Sequence, residues 1–324
     1  MKIVIPDDYQ DMVDQLDCFA LIRHHQVWRY RTPAHNLDEL ASRLRDADVI
    51  VSIRERVEFS RALLERLPRL KLIALVGRNS QMIDFPACTA LGIPVATGKS
   101  NSPVAPAELT LALIVASRRN VAREAERMRR GDWPCTLSHR LRGSTLGIFG
   151  LGAIGQLVAE GARGLGMEVL VWGQENSLQK AAAAGYARAA SKEALFERSD
   201  VLCLHVRLTR DTRGIVGPAD LARMKPTALI VNTARAELIQ PGALLDALRK
   251  GRPGYAAVDV YEQEPIVGGN HPLLAMPNVL CTPHLGWAEW DNFELYFREA
   301  FEQIVAYEQG LSLRLANSGV QPRR

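Results

Sequence analysis

This chain predicts an α/β protein built from two doubly wound parallel-sheet domains, and three observations lead there. Short β-branched runs alternate with amphipathic stretches in the N-terminal third of the sequence. A second strand series begins after one long helical stretch, and its first strand runs straight into the turn Gly150-Leu-Gly152-Ala153-Ile154-Gly155. Strand-helix-strand repetition demands a parallel sheet covered by helices on both faces. With 324 residues, the chain is long enough for about two domains of ~150 residues.

In the first series, strands are expected at residues 2–5, 27–30, 49–53, 71–76 and 94–96, where Val, Ile and Leu cluster in short runs. Helices are expected between them at 37–45 and 60–67, where apolar residues recur with a period near 3.6. Residues 106–130 carry one long helical period, ended by Gly131 and Pro134. A joint between domains fits there. Six further strands follow at 145–149, 168–172, 201–206, 228–232, 255–260 and 279–282, which is enough to fill a dinucleotide fold. Pro241 before ALLDALRK and Gly251 after it mark a helix start and stop. The segment from Trp287, rich in Phe, Tyr, Glu and Leu, reads as an amphipathic closing helix, and the tail 321–324 as loose.

Composition narrows the function classes. Hydrophobic residues make up 47% and charged residues 23%, as in ordinary globular proteins, and no apolar run approaches the ~20 residues of a membrane span. A cytoplasmic protein without a membrane partner is expected. The five cysteines are scattered with no C-x-x-C pair, so a reducing compartment and no metal site are expected. The net charge of +4 is spread among acids, and the densest basic stretch, 118–130, contains Glu124 and Glu126. That pattern describes a solvated helix face and no nucleic-acid partner.

The glycine turn carries the first chemistry. Gly150 permits the tight bend, Gly152 lets backbone amides approach a pyrophosphate, and Gly155 lets helix and strand pack closely. Ala153 and Ile154 open a helix whose unpaired amides favour anions. An acidic residue at the end of the next strand normally takes the ribose hydroxyls of NAD. Here Gly173 and Gln174 hold that register, with Glu175 late, and no arginine stands by for a 2′-phosphate. Both NAD and NADP stay open as cofactors, with a lean to NADP because the discriminating carboxylate is missing.

The ordered segments AELTLALI, GIFGLGAIGQLVA, LARMKPTALIVNTAR, AAVDVYEQEP and NVLCTPHLG, spread over residues 71–286, are similar to those of the D-isomer-specific 2-hydroxyacid dehydrogenases. The resemblance implies a Rossmann coenzyme domain at 100–286 and a flavodoxin-like substrate domain formed by 1–99 plus 287–324, with the site in the cleft and hinges near Ser100 and Trp287. It implies a small 2-oxoacid as substrate, glyoxylate or hydroxypyruvate foremost, reduced to the D-hydroxyacid, and a homodimer formed through the coenzyme domain. Arg235 is expected to clamp the substrate carboxylate and carbonyl, a task suited to a planar fork of donors. His284 is expected to protonate the developing alkoxide. Glu264, preferred over Glu262 because it directly precedes the proline, is expected to hold the imidazole.

By the same resemblance Asp259 receives the nicotinamide carboxamide, His205, Thr233 and Ala234 line the cofactor, and the loop Val76-Gly77-Arg78-Asn79 offers amides to the substrate carboxylate. Arg78 departs from the usual small residue and is expected either to meet a second anionic group or to face solvent. Trp287 either walls the pocket or packs in the core. Ala236 and Arg207 replace a glycine and a proline of the pattern, changes that leave the chemistry in place. Two other classes keep the same motifs: a nicotinamide-sensing corepressor-like binding protein and a phosphite-type dehydrogenase. Assays with substrates separate them.

Overall fold

The computed structural model describes residues 1–78, 80–134, 136–266 and 268–321, so Asn79, Cys135, Val267 and the last three residues of the tail lie outside the described residues. Two compact units divide the chain: Met1–Ser102 with Glu289–Arg324, and Pro103–Ala288.

In the first unit, strands β1 (Lys2–Ile5), β2 (Gln26–Arg29), β3 (Val49–Ser52), β4 (Leu72–Leu75) and β5 (Val95–Thr97) form one parallel sheet in the order β2-β1-β3-β4-β5. That order is the flavodoxin-like one. Every residue of β3 and β4 is buried, which is why both read as unbroken apolar runs, while β2 alternates exposed and half-buried positions as an edge strand does. Asn36 caps the helix Leu37–Leu44 by accepting from the Glu39 amide, and Asp84 caps Phe85–Ala90 through Ala87. The closing helix Trp290–Glu308 returns to this unit and packs Phe293, Phe297 and Phe301 one turn apart. Residues beyond that helix cover the edge of β5, with the Thr97 amide donating to the Arg314 carbonyl and the Val95 amide to Asn317 Oδ1.

The second unit is a seven-stranded parallel sheet made of β6 (Thr145–Phe149), β7 (Glu168–Trp172), β8 (Ala187–Arg188), β9 (Val201–Leu204), β10 (Leu229–Asn232), β11 (Tyr255–Val258) and β12 (Val279–Cys281), ordered β12-β11-β10-β9-β6-β7-β8. This is the doubly wound dinucleotide-binding order extended by one strand. Two buried clusters sit on its two faces, one around Phe149, Phe196, Leu202, Leu204 and Ile230, the other around Ile148, Val158, Val171 and Val231. Strand β8, only two residues long, is absent from the sequence-based expectation. The single helix expected at 106–130 is two, Val104–Arg118 and Val121–Arg129, because Asn120 adopts the left-handed region with φ +54° and turns the chain. No described helix is long and apolar enough to cross a membrane. Cys18, Cys88, Cys203 and Cys281 are free thiols.

Candidate functional site

In the second unit the order of strands reverses between β6 and β9, so the crevice at their carboxyl ends is the ligand-binding switch point of such a sheet. The glycine turn leaves β6 where that crevice opens. Gly150 has φ +95°, and a Cβ there would press within 2.8 Å of Val206 Cγ1 and 3.1 Å of the His205 carbonyl. A Cβ on Gly155 would come within 2.6 Å of the Gly150 carbonyl oxygen. Both positions therefore require glycine. Gly152 differs: its backbone is ordinary for any residue, with φ −75°, and a Cβ would meet nothing within 4 Å. Open space sits in front of the helix Ala153–Gly164, where the first amides have no intrahelical partner. These features fit the pyrophosphate of a dinucleotide.

His205 follows β9 across the same crevice. Its Nε2 is buried without a hydrogen-bond partner among the described residues, and burial holds its imidazole down at a pKa of about 4, so the ring is neutral. After β7, Gly173 and Gln174 lead into the helix Glu175–Ala183. The Glu175 carboxylate accepts from Gln179 Nε2 at 3.1 Å within that helix, and Ser177 Oγ accepts from the Leu151 amide at 3.1 Å. No carboxylate stands at Gly173 itself.

The three ionic residues come from the carboxyl ends of neighbouring strands. Strands β10, β11 and β12 lie side by side, with Asn232 opposite Val258 and Val258 opposite Cys281 in register. Arg235 follows β10, Glu264 follows β11, and His284 follows β12. Asn232 shapes the first turn: its Oδ1 accepts from the Ala234 amide at 3.1 Å and its Nδ2 donates to the Arg235 carbonyl at 2.9 Å. The Arg235 guanidinium donates through Nη1 to the Ala234 carbonyl at 2.7 Å. Thr233 is fixed by a 2.8 Å hydroxyl contact with Thr110 on the helix Val104–Arg118.

His284 Nδ1 lies 2.5 Å from Glu264 Oε2, while Glu264 Oε1 accepts from the Tyr261 amide at 2.8 Å. Glu262 points elsewhere, pairing with His271 Nε2 at 3.2 Å. Both partners of the first pair are largely buried, with side chains 19% and 14% exposed, and no hydrogen bond engages His284 Nε2 among the described residues. His284 also has φ +51°, a conformation uncommon outside glycine.

Asp259 holds it there. This fully buried carboxylate accepts from Thr282 Oγ1 at 2.6 Å and the Leu285 amide at 2.7 Å through Oδ1, and from the Gly286 amide at 2.8 Å through Oδ2. Burial raises its pKa, opposed by those three donors. The family resemblance casts Asp259 as a carboxamide acceptor. The structure gives its carboxylate to the loop that carries His284, a positioning task that no local motif announces. Trp287, one residue past that loop's glycine, is buried.

In the first unit the strand order reverses between β1 and β3. Of the loop after β4, the Val76 amide donates to the Ser52 carbonyl at 2.9 Å, so it is not available to a ligand as expected. Sheet bonding continues one residue beyond β4. Gly77, with φ +101°, and Arg78 offer amides that donate to no described residue, and Asn79 lies outside the described residues. Arg78 is exposed and lines a cavity of about 470 Å³ together with Lys99 and Arg314. Arg54, which follows β3 and packs against Gly77, belongs to no motif and so escapes a reading of the sequence. It stands at the carboxyl end of a switch-point strand, beside that loop.

Comparison with known proteins identifies the family. Residues 111–286 match the family model for the NAD-binding domain of D-isomer specific 2-hydroxyacid dehydrogenases. The chain is 36% identical over 298 residues to a glyoxylate reductase of Aeropyrum pernix, covering 88% of this chain and 87% of that one. It is 38% identical over 251 residues to a D-3-phosphoglycerate dehydrogenase of Methanocaldococcus jannaschii, covering 77% of this chain and 47% of that longer enzyme. A crystal structure of a phosphoglycerate oxidoreductase from Vibrio cholerae superposes with a TM-score of 0.90 at 45% identity, covering 96% of this chain and 99% of that one. With an open glycine turn at a switch point and an imidazole clasped by a carboxylate downstream of it, this chain belongs to the D-isomer-specific 2-hydroxyacid dehydrogenases, nicotinamide-dependent oxidoreductases.

Proposed function

We propose that the protein reduces a small 2-oxoacid, glyoxylate or hydroxypyruvate, to the D-2-hydroxyacid, with His284 as proton donor. The observation that carries this reading is the 2.5 Å contact between His284 Nδ1 and Glu264, which leaves Nε2 as the one ring nitrogen able to serve a substrate oxygen. Relatives named glyoxylate reductase and hydroxypyruvate reductase support the substrate class.

When bound, the reduced nicotinamide supplies a hydride. Gly150, Gly152, Ala153, Ile154 and Gly155 hold its pyrophosphate, and Gly173, Gln174, His205, Thr233 and Ala234 line the remainder. Arg235 orients the substrate carboxylate and draws electron density from the carbonyl oxygen. His284 donates its Nε2 proton to that oxygen as negative charge develops, and Glu264 holds the ring by Nδ1 so that the donor nitrogen faces outward. In hydroxyacid oxidation the same nitrogen takes the proton back. The amides of Gly77 and Arg78 are assigned to the substrate carboxylate, and the Arg78 guanidinium, beside Lys99 and Arg314, to a second anionic group on larger substrates.

NADP is the proposed coenzyme. Gly173 brings no carboxylate to repel a 2′-phosphate, and the one nearby acid, Glu175, is engaged with Gln179. A second copy of the chain is the proposed partner: Met128, Trp133 and Leu137 are exposed apolar side chains of the second unit, Trp133 at 78% and Leu137 at 94%, that such a copy would cover.

A panel of 2-oxoacids assayed with NADH and with NADPH, following loss of the reduced nicotinamide, tests the reading. Turnover of glyoxylate or hydroxypyruvate, faster with NADPH, is expected. Turnover of none of the 2-oxoacids with either coenzyme overturns the substrate class, and a preference for NADH overturns the coenzyme assignment.

A further inference from the structure

Among the described residues, one group of histidine, cysteine and carboxylate side chains converges as metal ligands do: His24, His25 and Glu308, whose ligand atoms all lie within 4.8 Å of one another. None belongs to the machinery above. His24 and His25 occupy the turn that precedes β2, and Glu308 is the last residue of the helix Trp290–Glu308, so the cluster ties the start of the first unit to its end.

Both histidine Nε2 atoms stand 3.5 Å from the same Glu308 oxygen, Oε2. Ligands ~2.0–2.2 Å from a tetrahedral zinc ion lie about 3.3–3.6 Å from each other, so two edges of such a tetrahedron are already drawn. Only the third, between the two rings, has to close, and His24 is free to move because its side chain is 55% exposed. His25 cannot: its side chain is 5% exposed, and its Nε2 is buried with no hydrogen-bond partner among the described residues. That nitrogen faces the carboxylate at ion-pair distance without closing a hydrogen bond, and a cation held between the two would engage both.

The helix adds a second, independent argument. Glu308 places its charge at the negative end of the helix dipole, and the last turn of that 19-residue helix contains no basic residue. A divalent ion offsets both the carboxylate and the dipole. Two imidazoles and one carboxylate leave one position for water, and this ligand set suits zinc over the hard cations magnesium and calcium.

We propose that His24, His25 and Glu308 form a zinc-binding site that staples the turn before β2 to the end of the closing helix. Binding to the folded state alone then raises thermal stability by mass action.

The test uses the full chain, stripped with chelator, alongside Glu308→Gln and His24→Gln, both altered at exposed side chains. Co2+ serves as the visible probe, followed by displacement with Zn2+. The parent is expected to bind one equivalent of Co2+ with tetrahedral d–d absorption, to lose that spectrum when Zn2+ is added, and to melt at higher temperature with Zn2+ than with chelator. Each variant should bind at least about tenfold more weakly, since even outer-sphere losses cost 10–100-fold, while melting like the parent in chelator. If all three proteins bind the metal equally, or if the parent shows no tetrahedral Co2+ spectrum, the site does not exist.

Discussion

At the scale of single residues the account rests on which carboxylate meets which imidazole. Glu264→Gln keeps the shape but removes the charge beside His284, and kcat for 2-oxoacid reduction is expected to fall about tenfold or more, as part of the 10²–10⁴-fold that a positioned acid contributes. Glu262→Gln, altered at the partner of His271, should stay near parental activity in the same assay. A different loss is expected at Asp259. Asp259→Ala leaves the buried Gly286 amide and the part-buried Leu285 amide without their acceptor, and at ~1–3 kcal/mol for the buried one the melt in denaturant should show at least about 1–3 kcal/mol less stability. Unchanged stability would show that the loop holds itself. The residues of the pair are legible in the sequence because each sits in a distinctive motif directly after a strand. The duty of Asp259 is not, since it depends on amides more than twenty-five residues away that only the fold brings to it. The positive φ of His284 is hidden for the same reason: long-range contacts impose it against local preference.

At the scale of elements, the glycine turn separates folding from binding. Gly155→Ala drives a methyl group into the Gly150 carbonyl and should destabilise the second unit. Gly152→Ala adds a methyl group where nothing lies within 4 Å, on a backbone any residue adopts, so it should lose no more than the ~1 kcal/mol that alanine costs at a helix N-cap. Its coenzyme affinity, measured by quenching of protein fluorescence, should nonetheless drop by about tenfold or more, because the methyl group enters the space through which amides reach the pyrophosphate. Parental affinity in Gly152→Ala would place the phosphates elsewhere. Long buried strands such as β6 and β7 are legible to the residue, for five consecutive positions rich in apolar and β-branched side chains between turns leave one reading. The break in the helical stretch after Val104 is not, because the apolar period continues through Asn120 and only its left-handed backbone stops the helix. Two-residue β8 is too short to carry any period at all.

At the scale of the whole molecule, two buried groups tilt stability against pH in opposite directions. Asp7 follows β1 with its Oδ2 buried and without a hydrogen-bond partner among the described residues, and burial raises its pKa from 3.8 to about 6. Its stabilising contribution is therefore complete below pH 3.8 and disappears as pH climbs through about 6. His205 is the reverse case, lowered from 6.5 to about 4, so its contribution is complete above pH 6.5 and disappears as pH drops toward 4. The parent curve hides both slopes. Asp7→Asn should gain on the parent between pH 4 and pH 7, by at most about 3 kcal/mol for two pKa units, and His205→Phe should gain as pH falls over the same range. Chemical denaturation of each variant at both pH values checks the signs, and a difference from the parent that does not change with pH would contradict the burial argument. Strand order is legible in outline from the alternation of periods, but such pH behaviour is not, because it depends on which polar atoms the packing leaves without partners.

The central claim is that His284 delivers the proton while contributing nothing to coenzyme binding. Measuring NADPH affinity and single-turnover oxoacid reduction side by side for the parent and His284→Ala tests it directly. The account predicts affinity within a few-fold of the parent and a chemical step slowed by about 10²–10⁴-fold; a chemical step that keeps its parental rate in His284→Ala would contradict it.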